Sequence, residues 1–229
     1  MPASRRLDEA LRMLNSVSDA SSVEGMGRFG INTKTALGVS VPNLRTIAKQ
    51  LGRDHVLALE LWSTGIHEAR LLSSMVDDPG MVTSEQMDAW VNDFDSWDLC
   101  DQCCSNLFDK TDVAYDKVVV WSARSEEFVK RAGFALMAAL AVHDKRAPDA
   151  MFLRFLPIIE ENSLDARNFV KKAVNWALRQ IGKRNQTLNK AAIQTAKRIA
   201  KSDSGAARWI ASDALRELTG RKVQERLSG

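Results

Sequence analysis

Apolar and polar residues alternate with a helical period along almost the whole chain. The segment "TIAKQLG" follows Pro42, which suits the first turn of a helix, and it ends at Gly52, a residue type common after helix C-termini. "DHVLALELWSTG" runs in the same way from an Asp cap to a terminating Gly. We therefore predict an all-α protein of roughly ten helices joined by short links, without strands.

Capping signals mark further helices. "TSEQMDAWVNDF" begins with Thr83 and has Gln86 three residues later, a capping-box pattern in which the two side chains satisfy each other's backbone donors. The other segments with helical periodicity are "SWDLCDQCCSNLFD", "SEEFVKRAGFALMAALAVHD", "APDAMFLRFLPIIEE", "SLDARNFVKKAVNWALRQIGKRN", "TLNKAAIQTAKRIAKS" and "SGAARWIASDALRELTG".

One short sequence repeats. Phe-Val-Lys-Arg-Ala at residues 128–132 recurs as Phe-Val-Lys-Lys-Ala at residues 169–173, and each copy follows a shorter amphipathic helix. The spacing matches HEAT-type helical hairpins of about 40 residues, which stack into a right-handed superhelical solenoid. No Gly-, Ser- or Pro-rich linker divides the chain, so we predict one HEAT-like domain over residues 1–229.

The repeat also predicts a surface. In a solenoid each repeat presents an equivalent helix to the concave side. The basic pairs Lys130–Arg131 and Lys171–Lys172 should then lie in adjacent rows and line a concave basic groove.

Composition limits the class of protein. A chain of 229 residues with 45% hydrophobic residues can bury a substantial core, and 12 Gly and 5 Pro are few for a fold of many short strands. No apolar run approaches the roughly 20 residues of a membrane span, and no signal-peptide core follows the N-terminus. We expect a soluble cytoplasmic protein.

Charge is unevenly distributed. Residues 1–114 contain 10 Lys and Arg against 17 Asp and Glu, a net charge of −7, whereas residues 115–229 contain 22 against 12, a net charge of +10. Between residues 167 and 201 there are ten basic residues and no acidic one. This favours a polyanionic partner, with nucleic acid the first candidate. The alternative is a solvated basic surface without a binding role.

All three cysteines, Cys100, Cys103 and Cys104, fall in one predicted helix. Their spacing of i, i+3 and i+4 places the thiols on one face, where they could hold a metal, sense redox changes or pack. A zinc site needs four ligands, and none of the three histidines has a paired spacing. Packing is the preferred interpretation, and we expect no metal.

The same helix carries an aromatic–carboxylate pair. Trp97 and Asp101 stand at i and i+4, so the indole and the carboxylate are neighbours. Asp98 has a simpler explanation, because acids near a helix N-terminus are stabilised by the helix dipole. The alternative for Asp101 is a surface acid or a salt bridge.

A second tryptophan lies in the basic region. Lys172, Trp176 and Arg179 stand at i, i+4 and i+7 and form one stripe on a helix that has a separate apolar face. A tryptophan between cations suits contact with a sugar or base next to phosphates. The alternative is a core tryptophan.

These residues carry a family resemblance. "SWDLCD", "EFVKRAGFALMAAL" and "NFVKKAVNWALRQIGKRN", in that order, resemble the DNA alkylation-repair glycosylases of the AlkD type. Upstream, "LGVSVPNLRTIAKQL" resembles the family's Gly-x-x-x-Pro-x-x-Arg segment, and "LWSTGIHEARLLSSMV" its Leu-Trp…Glu-x-Arg helix. The resemblance covers about residues 25–185. It implies HEAT-like repeats around duplex DNA and cleavage of the N-glycosidic bond of N3- or N7-alkylated purines, without cofactor or metal.

The resemblance also implies roles for individual residues. Asp101 would be the catalytic aspartate, and Trp97 and Trp176 the two sugar-contacting tryptophans. Arg131 and Arg179 match the family's phosphate-contacting arginines, and Arg45 matches the arginine of its proline-containing segment; we predict that all three bind DNA. From charge and repeat geometry, rather than from the resemblance, we add Lys130, Lys171 and Lys172 to the predicted DNA-binding residues.

The chemistry is consistent with these roles. A purine alkylated at N3 or N7 carries a fixed positive charge and departs as a neutral base, so the transition state needs stabilisation mainly at the sugar, which gains oxocarbenium character. An ionised Asp101 would stabilise that charge and orient water. We predict a monomeric DNA glycosylase that acts on double-stranded DNA containing alkylated purines, with no obligatory protein partner and no membrane contact. The alternatives are a non-catalytic protein that binds damaged or branched DNA and a HEAT scaffold for an acidic protein.

Overall fold

The computed structural model of the protein describes residues 4–228, which form α-helices and one 3₁₀ turn and contain no strand. The predicted all-α class is confirmed. The described chain divides between Asp112 and Val113 into two compact units. The boundary coincides with the change in charge, because residues 113 and 114 are uncharged. The prediction of a single domain stays a prediction.

The helices of the first unit are α1 (Arg5–Ser16), α2 (Ala20–Arg28), α3 (Val41–Leu51), α4 (His55–Ser63), α5 (His67–Val76), α6 (Ser84–Asn92) and α7 (Trp97–Asn106), followed by the 3₁₀ turn Phe108–Lys110. Those of the second unit are α8 (Ala114–Ser122), α9 (Glu127–His143), α10 (Asp149–Leu153), α11 (Phe155–Asn162), α12 (Asn168–Gly182), α13 (Gln186–Ile199), α14 (Gly205–Leu218) and α15 (Arg221–Ser228). None of the described helices is both long and apolar enough to cross a membrane.

The described residues contain more helices than the roughly ten predicted. One reason is that "APDAMFLRFLPIIEE" forms two helices, α10 and α11, which meet at Arg154. Pro157 stands in the first turn of α11, where its missing N–H costs no helical hydrogen bond. In one continuous helix its ring would clash with the carbonyl group of Leu153, four residues earlier.

The predicted start signals hold in part. Pro42 stands in the first turn of α3, and the side chains of Asp54 and Thr83 accept hydrogen bonds from backbone N–H groups at the starts of α4 and α6. Gln86, however, does not complete a capping box, because its Nε2 donates to Asp77 Oδ2 at 2.7 Å. Gln86 therefore bonds to Asp77 of another segment instead of to the backbone at the start of its own helix.

In the first unit, α5 and α7 lie side by side and run in the same direction. His67 Nε2 is 2.9 Å from Asp98 Oδ2 at the start of both helices, and Asn106 Nδ2 donates to Ser74 Oγ at 3.3 Å near their ends. Helix α3 also packs against α5. This row of helices fixes the start of α7.

The second unit contains a similar row of α9, α12 and α14. Arg131 Nη1 donates to the carbonyl oxygen of Phe169 at 2.6 Å, and Asn175 Nδ2 donates to Asp213 Oδ2 at 2.7 Å. Both hydrogen bonds join residues 38 positions apart. The rings of Phe128 and Phe169, which begin the two repeated sequences, have centroids 5.5 Å apart. The predicted helical repeats therefore stack directly.

Close packing between α8 and α9 gives a stability prediction. A Cβ atom at Gly133 would lie 2.6 Å from the backbone nitrogen of Ser122 and 2.9 Å from its Cα, and backbone cannot yield as a flexible side chain does. We expect Gly133→Ala to lower the free energy of unfolding by about 1–3 kcal/mol, measured by urea denaturation.

Gly205→Ala is the matched control, because a Cβ at Gly205, in the first turn of α14, meets nothing within 4 Å. It should leave stability unchanged or raise it by up to about 1 kcal/mol through helix propensity. Equal stability of the two variants would contradict the proposed close packing.

Candidate functional site

Helix α7 presents Trp97 and Asp101 on one face of the first unit. Ser96 precedes the helix in an extended conformation, with φ −152° and ψ 156°, and Trp97 is the first helical residue. Trp97 and Asp101 are both partly exposed, one turn apart. Trp97 Nε1 donates to the carbonyl oxygen of Phe29 at 2.9 Å, which fixes the plane of the indole. The structure thus confirms that these two residues share a helix and are accessible.

Asp98 does more than neutralise the helix dipole. It pairs with His67, which is only 3% exposed and stands at the start of α5. Burial alone would lower the pKa of His67, but the hydrogen bond and negative charge of Asp98 outweigh it and raise that pKa. Burial likewise works against the ionised form of Asp98, yet His67 lowers the pKa of Asp98. The pair is therefore ionic and ties the start of α7 to α5.

The cysteines lie on a different, fully buried face of α7. Cys100, Cys103 and Cys104 form no disulfide within residues 4–228 and are fully buried. Burial raises the pKa of Cys103 and Cys104 well above the ordinary value, which keeps these thiols protonated and disfavours redox chemistry or metal binding. Within residues 4–228 no three His, Cys, Asp or Glu side chains are grouped to hold a metal ion. The geometry supports packing.

Glu68 orients the segment that leads into α3. The side chain is fully buried and accepts hydrogen bonds from the backbone nitrogens of Leu37, Gly38 and Val39 at 2.7, 2.8 and 3.2 Å. Gly38 adopts a φ of 77°, a conformation that side chains rarely tolerate. Glu68 belongs to the Glu-x-Arg segment of the sequence, and its role is to fix this backbone.

The neighbouring Arg70 also has an internal role. Its Nη2 lies 3.3 Å from Asp93 Oδ2, and its guanidinium stacks 5.2 Å from the centre of the Trp62 ring. Trp62 Nε1 donates to the same carboxylate at 2.9 Å. The Leu-Trp…Glu-x-Arg pattern is therefore a set of structural contacts around α5.

Arg45 is the predicted DNA-binding residue of the first unit. It is exposed on α3 and has no ion-pair partner among the described residues. It lines a cavity of about 310 Å³ together with Arg53, Lys110 and Asn106. Three cations thus face one recess near the end of α7.

The second unit carries Trp176 on α12. Its side chain is partly exposed, whereas the adjacent Asn175 and Ala177 are buried. The interpretation of Trp176 as a core residue is therefore wrong. Lys172, one turn before it, is exposed and has no ion-pair partner in the part of the chain that the structure describes.

The other predicted cations are engaged within the second unit. Lys130 Nζ lies 3.1 Å from Asn162 Oδ1 and 3.6 Å from Asp165 Oδ2. Arg131 is only 5% exposed and bonds to the backbone of α12, as described above. Arg179 Nη1 donates to Glu217 Oε2 at 2.5 Å. Phosphate contacts by these three side chains stay predictions.

Trp209 is an exposed tryptophan that the sequence did not indicate as a site residue. Trp209 on α14 is 40% exposed, and the Lys171 ammonium lies 4.9 Å from the centre of its ring. The adjacent Arg208 in "AARWIAS" was the available signal, since an aromatic beside a cation resembles the pattern at Trp176. No local pattern could show the contact with Lys171, because it depends on the packing of α12 against α14.

Known proteins resemble this chain both in sequence and in fold. The sequence model of a family described as DNA alkylation repair enzyme matches residues 10–218. A solved structure from "a new family of proteins related to the HEAT-like repeat DNA glycosylases with affinity for branched DNA structures" has a TM-score of 0.78. The match covers 93% of this chain and 95% of that chain at 19% sequence identity, and it shows that the fold is HEAT-like. No curated protein sequence matches the chain.

Proposed function

The chain belongs to the DNA alkylation repair enzyme family, and from this membership we propose that it is a DNA glycosylase. Its substrate is duplex DNA that contains positively charged N3- or N7-alkylated purines, such as 3-methyladenine and 7-methylguanine. The observation that carries the proposal is the partly exposed pair of Trp97 and Asp101, which the Phe29 carbonyl oxygen and the His67–Asp98 ion pair hold in place.

Asp101 is the electrostatic catalyst in this proposal. The alkylated base departs as a neutral molecule, so no general acid has to protonate it. As the glycosidic bond stretches, positive charge develops on C1′ and the ring oxygen of the sugar. A carboxylate already in position gains Coulomb energy as that charge grows, and it can orient the attacking water.

The tryptophans contribute to the same charge stabilisation. The indole face of Trp97 attracts a partially positive sugar and excludes water from one side of Asp101. Trp176 acts as the second indole, an assignment that rests on the sequence resemblance and is supported by its partial exposure. The hydrogen bond from Trp97 to the Phe29 carbonyl group reduces the entropy lost when the sugar is bound.

Phosphate contacts hold the duplex without reading its sequence. Arg45 and Lys172 are the best placed for this, because both are exposed and have no ion-pair partner among the described residues. Lys171 can leave the Trp209 ring at little cost, since exposed cation–π contacts are worth only about 1 kcal/mol. Lys130 and Arg179 would first have to break the contacts described above.

Base release from alkylated DNA tests the proposal. Purified protein should liberate 3-methyladenine or 7-methylguanine from methylated duplex DNA, measured by chromatography of the released bases, and none from the unmethylated duplex. Absence of both products under conditions in which the protein binds the duplex would refute the glycosylase assignment.

Two conditions probe the mechanism. Because the reaction uses no metal, excess chelator should leave the release rate unchanged, and loss of release would contradict the carboxylate mechanism.

Because affinity depends on phosphate contacts, raising the salt concentration from about 50 to 200 mM should weaken DNA binding at least tenfold. Binding that is insensitive to salt would exclude the proposed phosphate contacts.

A non-catalytic role in binding branched DNA is the second candidate. It is favoured by the affinity for branched DNA of the family to which the similar solved structure belongs. The release assay separates the two candidates, since a binding protein would retain DNA affinity and release no base.

A further inference from the structure

Two adjoining clefts lie beyond the C-terminal ends of α9 and α12 in the second unit. The first has a volume of about 480 Å³ and is formed mainly by the end of α14 and by α15. The second has a volume of about 390 Å³ and lies between the ends of α9, α12 and α15. Lys183 and Arg226 line both clefts. The cations that the argument uses are Lys145, Lys183, Arg216, Arg221, Lys222 and Arg226.

Acidic side chains do not balance this charge. Among residues 4–228, Glu217 is the only acid that lines either cleft, and it is already bound by Lys183 Nζ at 2.6 Å and by Arg179 Nη1 at 2.5 Å. The two clefts therefore present a net positive surface, which suits a ligand with several phosphates.

Two of the arginines that line the clefts, Arg184 and Arg226, have a structural role. Basic residues near helix C-termini stabilise the last carbonyl groups. Arg226 Nη2 donates to the Lys183 carbonyl oxygen at 2.7 Å, and Arg184 donates to the carbonyl oxygens of Ala141 and Ala147 at 3.2 and 3.0 Å. These two arginines are explained by the fold.

The remaining cations are not explained in this way. Lys145 and Lys222 are exposed, and neither ammonium has a hydrogen-bond or ion-pair partner within residues 4–228. Arg216 pairs with Asp213 and Arg221 with Glu225, but the arginine side chains stay 75% and 89% exposed. Pairs so exposed contribute little to stability, so these side chains can turn to a ligand at small cost.

The clefts lie apart from Lys172, one of the two best-placed DNA contacts proposed above. Lys172 is the fifth of the 15 residues of α12, whereas Lys183 follows its last residue. Eleven residues of helix between Lys172 and Lys183 correspond to about 16 Å. A phosphate bound in the clefts is therefore not the phosphate that Lys172 contacts.

We propose that these clefts form a second phosphate-backbone site, which binds another duplex arm when the DNA is branched. The inference rests on the proposed DNA-binding function, and it gives a role to α15, a helix that holds no residue of the candidate active site. A lesion-containing duplex occupies the surface around Lys172, while Lys145 and Lys222 hold the phosphates of the second arm.

The test compares a charge-reversal variant with a matched control. Lys145→Glu/Lys222→Glu changes two exposed side chains without ion-pair partners among the described residues. The control, Lys190→Glu/Lys197→Glu, makes the same change of net charge at two exposed positions of α13 that line neither cleft. Affinities are measured by fluorescence anisotropy for a four-way junction and for a linear duplex with the sequence of one arm.

The cleft variant should bind the junction about tenfold more weakly than the wild type, with a salt dependence reduced by about two phosphate contacts. Its affinity for the linear duplex and its base release from alkylated linear DNA should change less than twofold, and the control should affect both DNAs equally. Equal losses on junction and linear DNA, or no loss on either, would overturn the proposal. Failure of the glycosylase assignment is a separate result, because the binding comparison uses undamaged DNA.

Discussion

Asp101→Asn will abolish base release and leave DNA binding intact or slightly stronger. The substitution keeps the shape of the side chain and removes the negative charge that we propose stabilises the oxocarbenium-like sugar. Loss of one preorganised electrostatic contact commonly costs a factor of about 100 to 1,000 in rate. Binding should not fall, because removal of a carboxylate reduces repulsion of the phosphates. The measurements are single-turnover release of 7-methylguanine and anisotropy with the same duplex.

Asp112→Asn is the matched control. It makes the same chemical change at an exposed position of the first unit that carries no proposed role. It should retain release within twofold of the wild type. If Asp101→Asn also retained release within tenfold, with its fold intact by circular dichroism, another group would have to stabilise the sugar.

Breaking the His67–Asp98 pair should destabilise the first unit severely. His67→Phe leaves the carboxylate of Asp98 without its cation, and Asp98→Leu leaves the buried imidazole without its anion. Removal of one partner of a buried ion pair costs about 3–5 kcal/mol, whereas replacement of both by apolar residues is often nearly neutral. We expect each single variant to lose about 3 kcal/mol in urea unfolding and the double variant to recover most of that loss. Additive losses in the double variant would show that the two side chains act independently.

The same pair predicts how stability depends on pH. The raised pKa of His67 adds stability that is complete below the imidazole's unfolded value of about 6.5 and is lost as pH rises through the folded value. The lowered pKa of Asp98 adds stability that is present above about 3.9 and is lost as pH falls through the folded value. The stability difference between wild type and the double variant should therefore be largest between about pH 4 and 6.5.

Local patterns predicted the elements of the site better than its surroundings. Helical spacing placed Trp97 and Asp101 on one face of α7 and the cysteines on a different, buried face, because side-chain direction follows directly from position along a helix. The spacing of residues 128–132 and 169–173 predicted the stacked rows, since HEAT repeats contact their sequence neighbours.

The partners of the charged residues lay beyond local reasoning. Arg179 and Glu217 are 38 residues apart, and His67 and Asp98 are 31 apart. Helical periodicity fixes which face a residue occupies but not which residue of the next helix lies opposite. For this reason the sequence predicted that Lys172 and Arg179 share one face of α12. It did not predict that Asp213 and Glu217 of α14 pair with Arg179.

The acceptor that fixes the Trp97 indole is a main-chain carbonyl group, that of Phe29. Every amino acid has such a group, so the identity of residue 29 carries no information about this contact. The Phe29 side chain is 73% exposed, and its replacement by alanine should leave the indole where it is. The residue at position 29 could therefore be changed without loss of this contact, although the backbone there holds a residue of the proposed site.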